Sequence, residues 1–282
     1  MSPRICWFFL AWTTAALADD QVLLIDAGLD AIANGQALVA TANSINDASS
    51  AKPYLIELGP GSFNISPAQL TLKPFVSLAG KGRSISQIFL NTSSTLAAVR
   101  LNGNNTLRDL HLQHLGSGST NVYTMGVQVA PGAKSIRLER ISVLADGNGL
   151  SAGLYVAGDL NATDILVVAQ TGTMASAFYY TGSGVVDIAD SHFSATNSGA
   201  GNAETLYGFS ASNPSWQLRN VRLNASHPTQ SAFWLSASLS AAPVFRGLEV
   251  LSGKRGSTAT CLASIGTTSA GFTDFIPSGC PQ

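Results

Sequence analysis

Short apolar triplets of the form hydrophobic-x-hydrophobic recur along the chain from Leu96 onward. One series runs Val99-Arg100-Leu101, Val127-Gln128-Val129, Leu154-Tyr155-Val156, Phe178-Tyr179-Tyr180, Tyr207-Gly208-Phe209 and Phe233-Trp234-Leu235, and fades near Cys261. A second series falls between them: Leu110-His111-Leu112, Ile141-Ser142-Val143, Ile165-Leu166-Val167, Ser191-His192-Phe193, Val221-Arg222-Leu223 and Leu248-Glu249-Val250. A repeat of this size is a unit that buries its apolar face only by stacking on its neighbours. Two strands per unit, with almost no helical periodicity between them, predict an all-β parallel β-helix, a solenoid wound from one chain.

The N-terminal part reads differently. Leu29, Ile32, Ala33, Ala37, Leu38, Ala40 and Ile45 are spaced as on one face of a helix, against which stand Gly28 and Gly35. A short amphipathic helix within Asp26 to Ala48 is expected to cap the first coil, since a bare solenoid end exposes apolar cross-section and free ladder groups. Period-two alternation then marks strands at Tyr54–Leu58, Phe63–Ile65, Leu70–Leu72, Val76–Leu78 and Gln87–Leu90. No linker-like stretch interrupts the rest, which predicts one domain of about eight to ten coils.

Composition fits many tight turns. Only 11% of the residues are charged, and there are 27 glycines. Asp109, Arg140, Asp164, Asp190, Asn220 and Gly247 hold the equivalent place, just ahead of the second strand series, in successive coils. The first 18 residues read as an export signal: Arg4 gives a positive start, Ile5 to Trp12 a short apolar run, and Ala16-Leu17-Ala18 a small-x-small cleavage site. The expected organisation is therefore a signal peptide over 1–18, a cap over 19–50, the β-helix over 51–266 and a tail over 267–282. An exported protein, periplasmic or extracellular, follows, with no membrane insertion because no apolar run is long enough to span a bilayer.

Loss of Arg4 with the leader takes the formal charge from −1 to −2, which gives nucleic acid no basic surface to bind. Cys261 and Cys280 remain, and a disulfide between them would tie the tail to the last coil. A monomer is expected.

The segment from Pro53 to Ile65, with Gly59-Pro60-Gly61-Ser62-Phe63 at its centre, followed by Leu78-Ala79-Gly80-Lys81-Gly82 and Gln87-Ile88, resembles the opening coils of the pectin lyase-like superfamily, pectin methylesterases among them. The likeness in motif covers about 40 residues. It implies a right-handed β-helix and, often, a polysaccharide ligand. The catalytic motifs do not carry over. Asp274-Phe275-Ile276 imitates one esterase strand but runs into Pro277, and the signatures of polygalacturonases and pectin lyases are missing.

Two candidate sites emerge. Asp164, Asp187, Asp190 and His192 could serve acid–base chemistry, Asp164 and Asp190 as a close pair on adjacent coils. The alternative is a structural ladder in which Arg140 neutralises its neighbours and the other residues cap turns. In the first strand series the middle residues should point outward, which places Gln128, Tyr155, Tyr179 and Trp234 on one outer face as a platform for sugar rings. A loop or the tail could instead cover that row. Of the four histidines, His111 and His192 share a ladder position but lie three coils apart, too far for one zinc ion, and His114 and His227 are scattered. No metal, cofactor, nucleophile or dinucleotide motif is expected. The function expected is polysaccharide binding without a recognisable catalytic site. The alternatives are a divergent polysaccharide-active enzyme (lyase, hydrolase or esterase) and an adhesin-like structural module.

Overall fold

The computed structural model describes residues 20–210, 215–239, 241–267 and 273–282. The expected export signal lies outside the described residues.

The chain winds into a right-handed parallel β-helix of about seven turns, fewer than the eight to ten expected. Each full coil carries three strand segments where the sequence suggested two. One series forms an eight-stranded sheet that includes Leu96–Leu101, Tyr123–Val129, Leu150–Val156, Met174–Tyr180, Ala203–Ser210 and Ala232–Leu239. The other two are strips of one large sheet, meeting at a one-residue corner. The third segment is short, as in Thr106–Arg108, Arg137–Glu139 and Leu160–Thr163. Each of these contributes one or two small or leucine side chains to the core, too little apolar signal to stand out in the sequence.

The corner explains the polar residues ahead of the second strand series. Asp109, Arg140, Asp164, Asp190, Asn220 and Gly247 all have φ between +49° and +67°. Asp and Asn tolerate this left-handed conformation through their short polar side chains, and Gly has no Cβ to clash. Arg140 has neither advantage. It is held by two hydrogen bonds donated to Asp109, from Nε at 2.6 Å and Nη2 at 2.8 Å. After five of the six corners an apolar residue, Leu110, Ile141, Ile165, Val221 or Leu248, turns straight into the core, and after Asp190 the buried Ser191 takes that place.

At the N-terminal end a strand at Gln21–Ile25 pairs in parallel with Tyr54–Leu58. The capping helix α1 (Ala31–Ser44) follows it, starting at Asp30, whose carboxylate accepts from the Ile32 and Ala33 amides. Its buried stripe is Asn34, Gly35, Leu38 and Ala42, while Leu29 and Ile32 stay exposed. Gly35, which counted against a helix, is what lets it dock: a Cβ there would lie 2.0 Å from the Asn64 carbonyl oxygen. At the other end Cys261 and Cys280 form a disulfide with Cα atoms 5.0 Å apart. By chain-entropy arithmetic, closing a loop of this length contributes about 3 kcal/mol. Strand Thr273–Ser278 closes the sheet by pairing antiparallel with Thr260–Thr267.

Register corrects the sequence reading in the fifth and sixth coils. Val127, Leu154, Phe178, Leu206 and Leu235 align as inward partners, so the outward row is Gln128, Tyr155, Tyr179, Tyr207 and Ser236. Trp234 is not outward. It is fully buried, with Phe245 edge-on at 5.7 Å. The cause is a local break in alternation: in each coil two adjacent residues turn inward, Ala98 with Val99, Ala177 with Phe178, Trp234 with Leu235. A period-two reading taken across such a pair shifts by one and reverses every face. Gly208, the middle residue of its triplet and so expected to face outward, is inward and leaves room for Trp216, whose Cη2 would lie 2.8 Å from an added Cβ. Trp234→Ala therefore removes a core side chain and should destabilise the fold by about 3–5 kcal/mol in denaturant unfolding. Wild-type stability in this variant would mean that the ring is outside after all.

Candidate functional site

Two surfaces hold the candidate residues. On the corner of the large sheet, a cleft of about 540 Å³ is lined by residues that include Arg83, Asp164, Asp190, His192, Arg222 and Glu249. Its charged groups are engaged in separate contacts. Arg83 Nη2 lies 2.7 Å from Asp164 Oδ1, Asn220 donates to Asp190 at 2.9 Å, and Arg222 donates to Glu249 at 2.7 Å. Asp187 is outside the cleft lining and accepts from Arg219 at 3.0 and 3.3 Å. Among the described residues no hydrogen bond joins Asp164 to Asp190. Burial, and after it the Arg222 cation, hold the His192 pKa below the usual histidine value, and its Nε2 is buried without a partner. The corner brings three of the four acid–base candidates together, each aspartate already engaged with its own partner.

The outer face of the eight-stranded sheet is built differently. Residues at one position in successive coils sit about 4.8 Å apart, close to the stacking distance of aromatic rings. Tyr155 and Tyr179 stack at 5.1 Å with planes 10° apart, and Tyr179 and Tyr207 follow at 4.7 Å and 30°. The faces of Tyr179 are thus taken up by its two neighbours. The expected flat platform of separate rings is instead a column, Gln128 in register at one end and Ser236 at the other. Burial, and then the neighbouring tyrosines, push the Tyr179 pKa up to about 12, so its hydroxyl stays protonated throughout the ordinary pH range.

At its C-terminal end the column opens onto a cleft of about 760 Å³. Tyr207 and Ser236 line it, with Gly208, Pro243, Ser257, Thr258 and other small residues. Among the described residues no charged side chain lines this cleft. The short Ser236 side chain leaves the second face of Tyr207 without a stacking partner among the described residues.

Beside the column, three residues earlier on each strand, runs a second outer row. Ala97, Met125 and Ala152 form a small apolar cluster of their own, outside the main core, covered by Tyr155 and Tyr179. In register, Ser176 and then Glu204 follow Ala152. Glu204 is only 5% exposed. Its Oε1 accepts a long 3.4 Å bond from Asn202, and its Oε2 has no partner. Burial raises its pKa above the usual carboxylate value.

Neither Tyr207 nor Glu204 figures among the residues singled out by sequence. Tyr207 was read as the first, inward residue of its triplet, and Glu204 lies just before the triplet in the stretch between repeats. Among the described residues no group of His, Cys, Asp and Glu is placed to hold a metal ion, and no helix is long and apolar enough to cross a membrane.

No protein-family model matches the chain, and no curated protein does. Solved structures of similar shape include a pectin methylesterase from Yersinia enterocolitica, at TM-score 0.49 and 13% identity, covering 86% of this chain and 85% of that one. Another is the A-module of the Azotobacter vinelandii mannuronan C-5 epimerase AlgE6, at TM-score 0.37 and 16% identity, covering 83% and 82%. At these identities and TM-scores the likeness is one of general shape. The parallel β-helix seen in the chain itself is the fold that the opening motif implied.

Because Glu204 is easier to protonate in the folded chain than in the unfolded one, its contribution to stability is complete below the unfolded carboxylate pKa of about 4.3. That contribution fades as pH rises through the higher folded value. The melting temperature of Glu204→Gln should therefore gain on wild type as pH is raised from 4 to 8. Parallel pH profiles for the two proteins would show that this carboxyl titrates normally.

Proposed function

We propose that this protein binds a saccharide chain on the tyrosine face of its β-helix, with one sugar ring stacked on the open face of Tyr207. The observation that carries the reading is the tyrosine column ending at an uncharged cleft. Stacking on Tyr179 holds the Tyr207 ring in place, so little side-chain entropy is lost when a ligand packs on its other face. The cleft offers hydroxyls from Ser236, Ser257 and Thr258 beside small apolar surface, which matches the alternating polar edges and C–H faces of a pyranose. With no charged residue in the lining among the described residues, the cleft suits neutral sugars better than uronates. The opening-coil resemblance supports a polysaccharide ligand in general terms.

The corner cleft favours a structural role, since each of its aspartates stabilises an adjacent coil or loop. No catalytic step is assigned to either surface. The test is binding of cellohexaose, xylohexaose, mannohexaose and hexagalacturonate by calorimetry, with wild type and Tyr207→Ala. A neutral hexasaccharide should bind best. Loss of the ring should weaken binding by about 1–3 kcal/mol, by analogy with stacking on aromatic side chains elsewhere, with the melting temperature nearly unchanged. Unaltered affinity in the variant would remove Tyr207 from the site.

A further inference from the structure

The second outer row shows what the fold requires at the position of Glu204. Successive coils place Ala97, Met125, Ala152, Ser176, Glu204 and Phe233 there. The coil stack is satisfied by small or apolar side chains, and a carboxyl is the exception. It forms no ion pair among the described residues, and one of its oxygens is left without a hydrogen bond. A carboxyl buried in this way works against stability unless it stays protonated. The packing of the row supplies this carboxyl oxygen with no partner among the described residues.

Glu204 sits three residues before Tyr207 on one strand, on the same outer face, and beside Ser176 on the strand that carries Tyr179. It is close enough for its charge to bear on the Tyr179 hydroxyl. We propose that Glu204 is a binding residue of the saccharide site: as a neutral acid it donates its proton in a hydrogen bond to a glycan oxygen, and on ionising it lets the glycan go. This rests on the saccharide reading above and adds to it a polar anchor and a pH dependence.

The surroundings bear on the sign. On its own segment Glu204 has the Asn202 amide and the Tyr207 phenol. The preceding coil presents the Ser176 hydroxyl, which is turned onto the Phe178 carbonyl, and the Tyr179 phenol. The next coil presents Phe233, and the one after it Lys254, in register but beyond the Phe233 ring. The strands packed beneath, Val185–Thr196 and Ser215–Ser226, turn apolar residues such as Phe193 and Leu223 toward this sheet. The Tyr179 phenol stays neutral, and among the described residues no cation lies next to the carboxyl to favour its ionised form. Binding should therefore be tight under acid conditions and weaken as pH rises through the Glu204 pKa.

The experiment measures affinity for the tightest-binding neutral hexasaccharide between pH 4.5 and 8.5, in wild type, Glu204→Gln and Glu204→Ala. Melting temperatures confirm folding, and Ala is the residue two equivalent coils already use. Wild type should lose at least tenfold in affinity across the range. The Gln variant, neutral and still a donor, should hold the acid-side affinity at every pH, and the Ala variant should bind weakly throughout. A Gln variant that follows the wild-type profile, or a wild-type profile without slope, overturns the role of Glu204 and leaves the saccharide site standing. If wild type binds no hexasaccharide at any pH, the saccharide reading fails and this proposal fails with it.

Discussion

In-register stacking of coils at the inter-strand spacing is the constraint on which the rest of this structure depends. Each backbone ladder fixes its neighbour at about 4.8 Å, so whatever stands at one position faces its counterparts above and below. Inside, this produces rows of buried side chains that are aliphatic in the early coils and aromatic around Phe178, Tyr180, Phe193 and Trp216. At the corner it produces a file of left-handed residues, and on the outer face a column of tyrosines. The same spacing has three outcomes, decided by which residue types occupy the row.

That logic also separates polar groups that build the fold from those that are free to act. Asp109, Asp164, Asp187 and Asp190 all stand on the large sheet's outer surface with a partner from an adjacent coil, loop or strand. Such pairs are exposed and individually weak, and their use here is to hold sharp corners in register. Glu204 is the reverse: deeply buried, without an ion-pair partner among the described residues, and standing where other coils use Ala, Ser, Met or Phe. Polar groups left unsatisfied are costly to the fold. One placed beside an aromatic column with an open end is consistent with a ligand that supplies the missing contact.

Much of the architecture was legible in the sequence because the repeat is long and its signals agree. The second strand series, the corner residues, the inward phase of Val129 and Val156, the capping helix and the disulfide are all found. The third strand segment was not legible, since a three-residue stretch such as Arg137-Leu138-Glu139 looks like any loop. The tandem inward pair was the more damaging omission. A single extra inward residue per coil turned Trp234 from core into apparent surface and hid Tyr207 from the outer row. Tyr155, Tyr179 and Gln128 were placed correctly on that row because their coils offer no competing phase. Glu204 could have been found only by aligning the coils in three dimensions, for its exceptional character lies in comparison with Ala152 and Ser176.

Hydrogen–deuterium exchange mapped by mass spectrometry, with and without a saturating neutral hexasaccharide at pH 5, addresses the central claim that the tyrosine face is the functional surface. Protection should concentrate in the strands Ala203–Ser210 and Ala232–Leu239 and the segment from Lys254 to Thr258, which carry Glu204, Tyr207 and the cleft. Protection confined to the corner around Asp164, Asp190 and His192, with the tyrosine face unchanged, would contradict it.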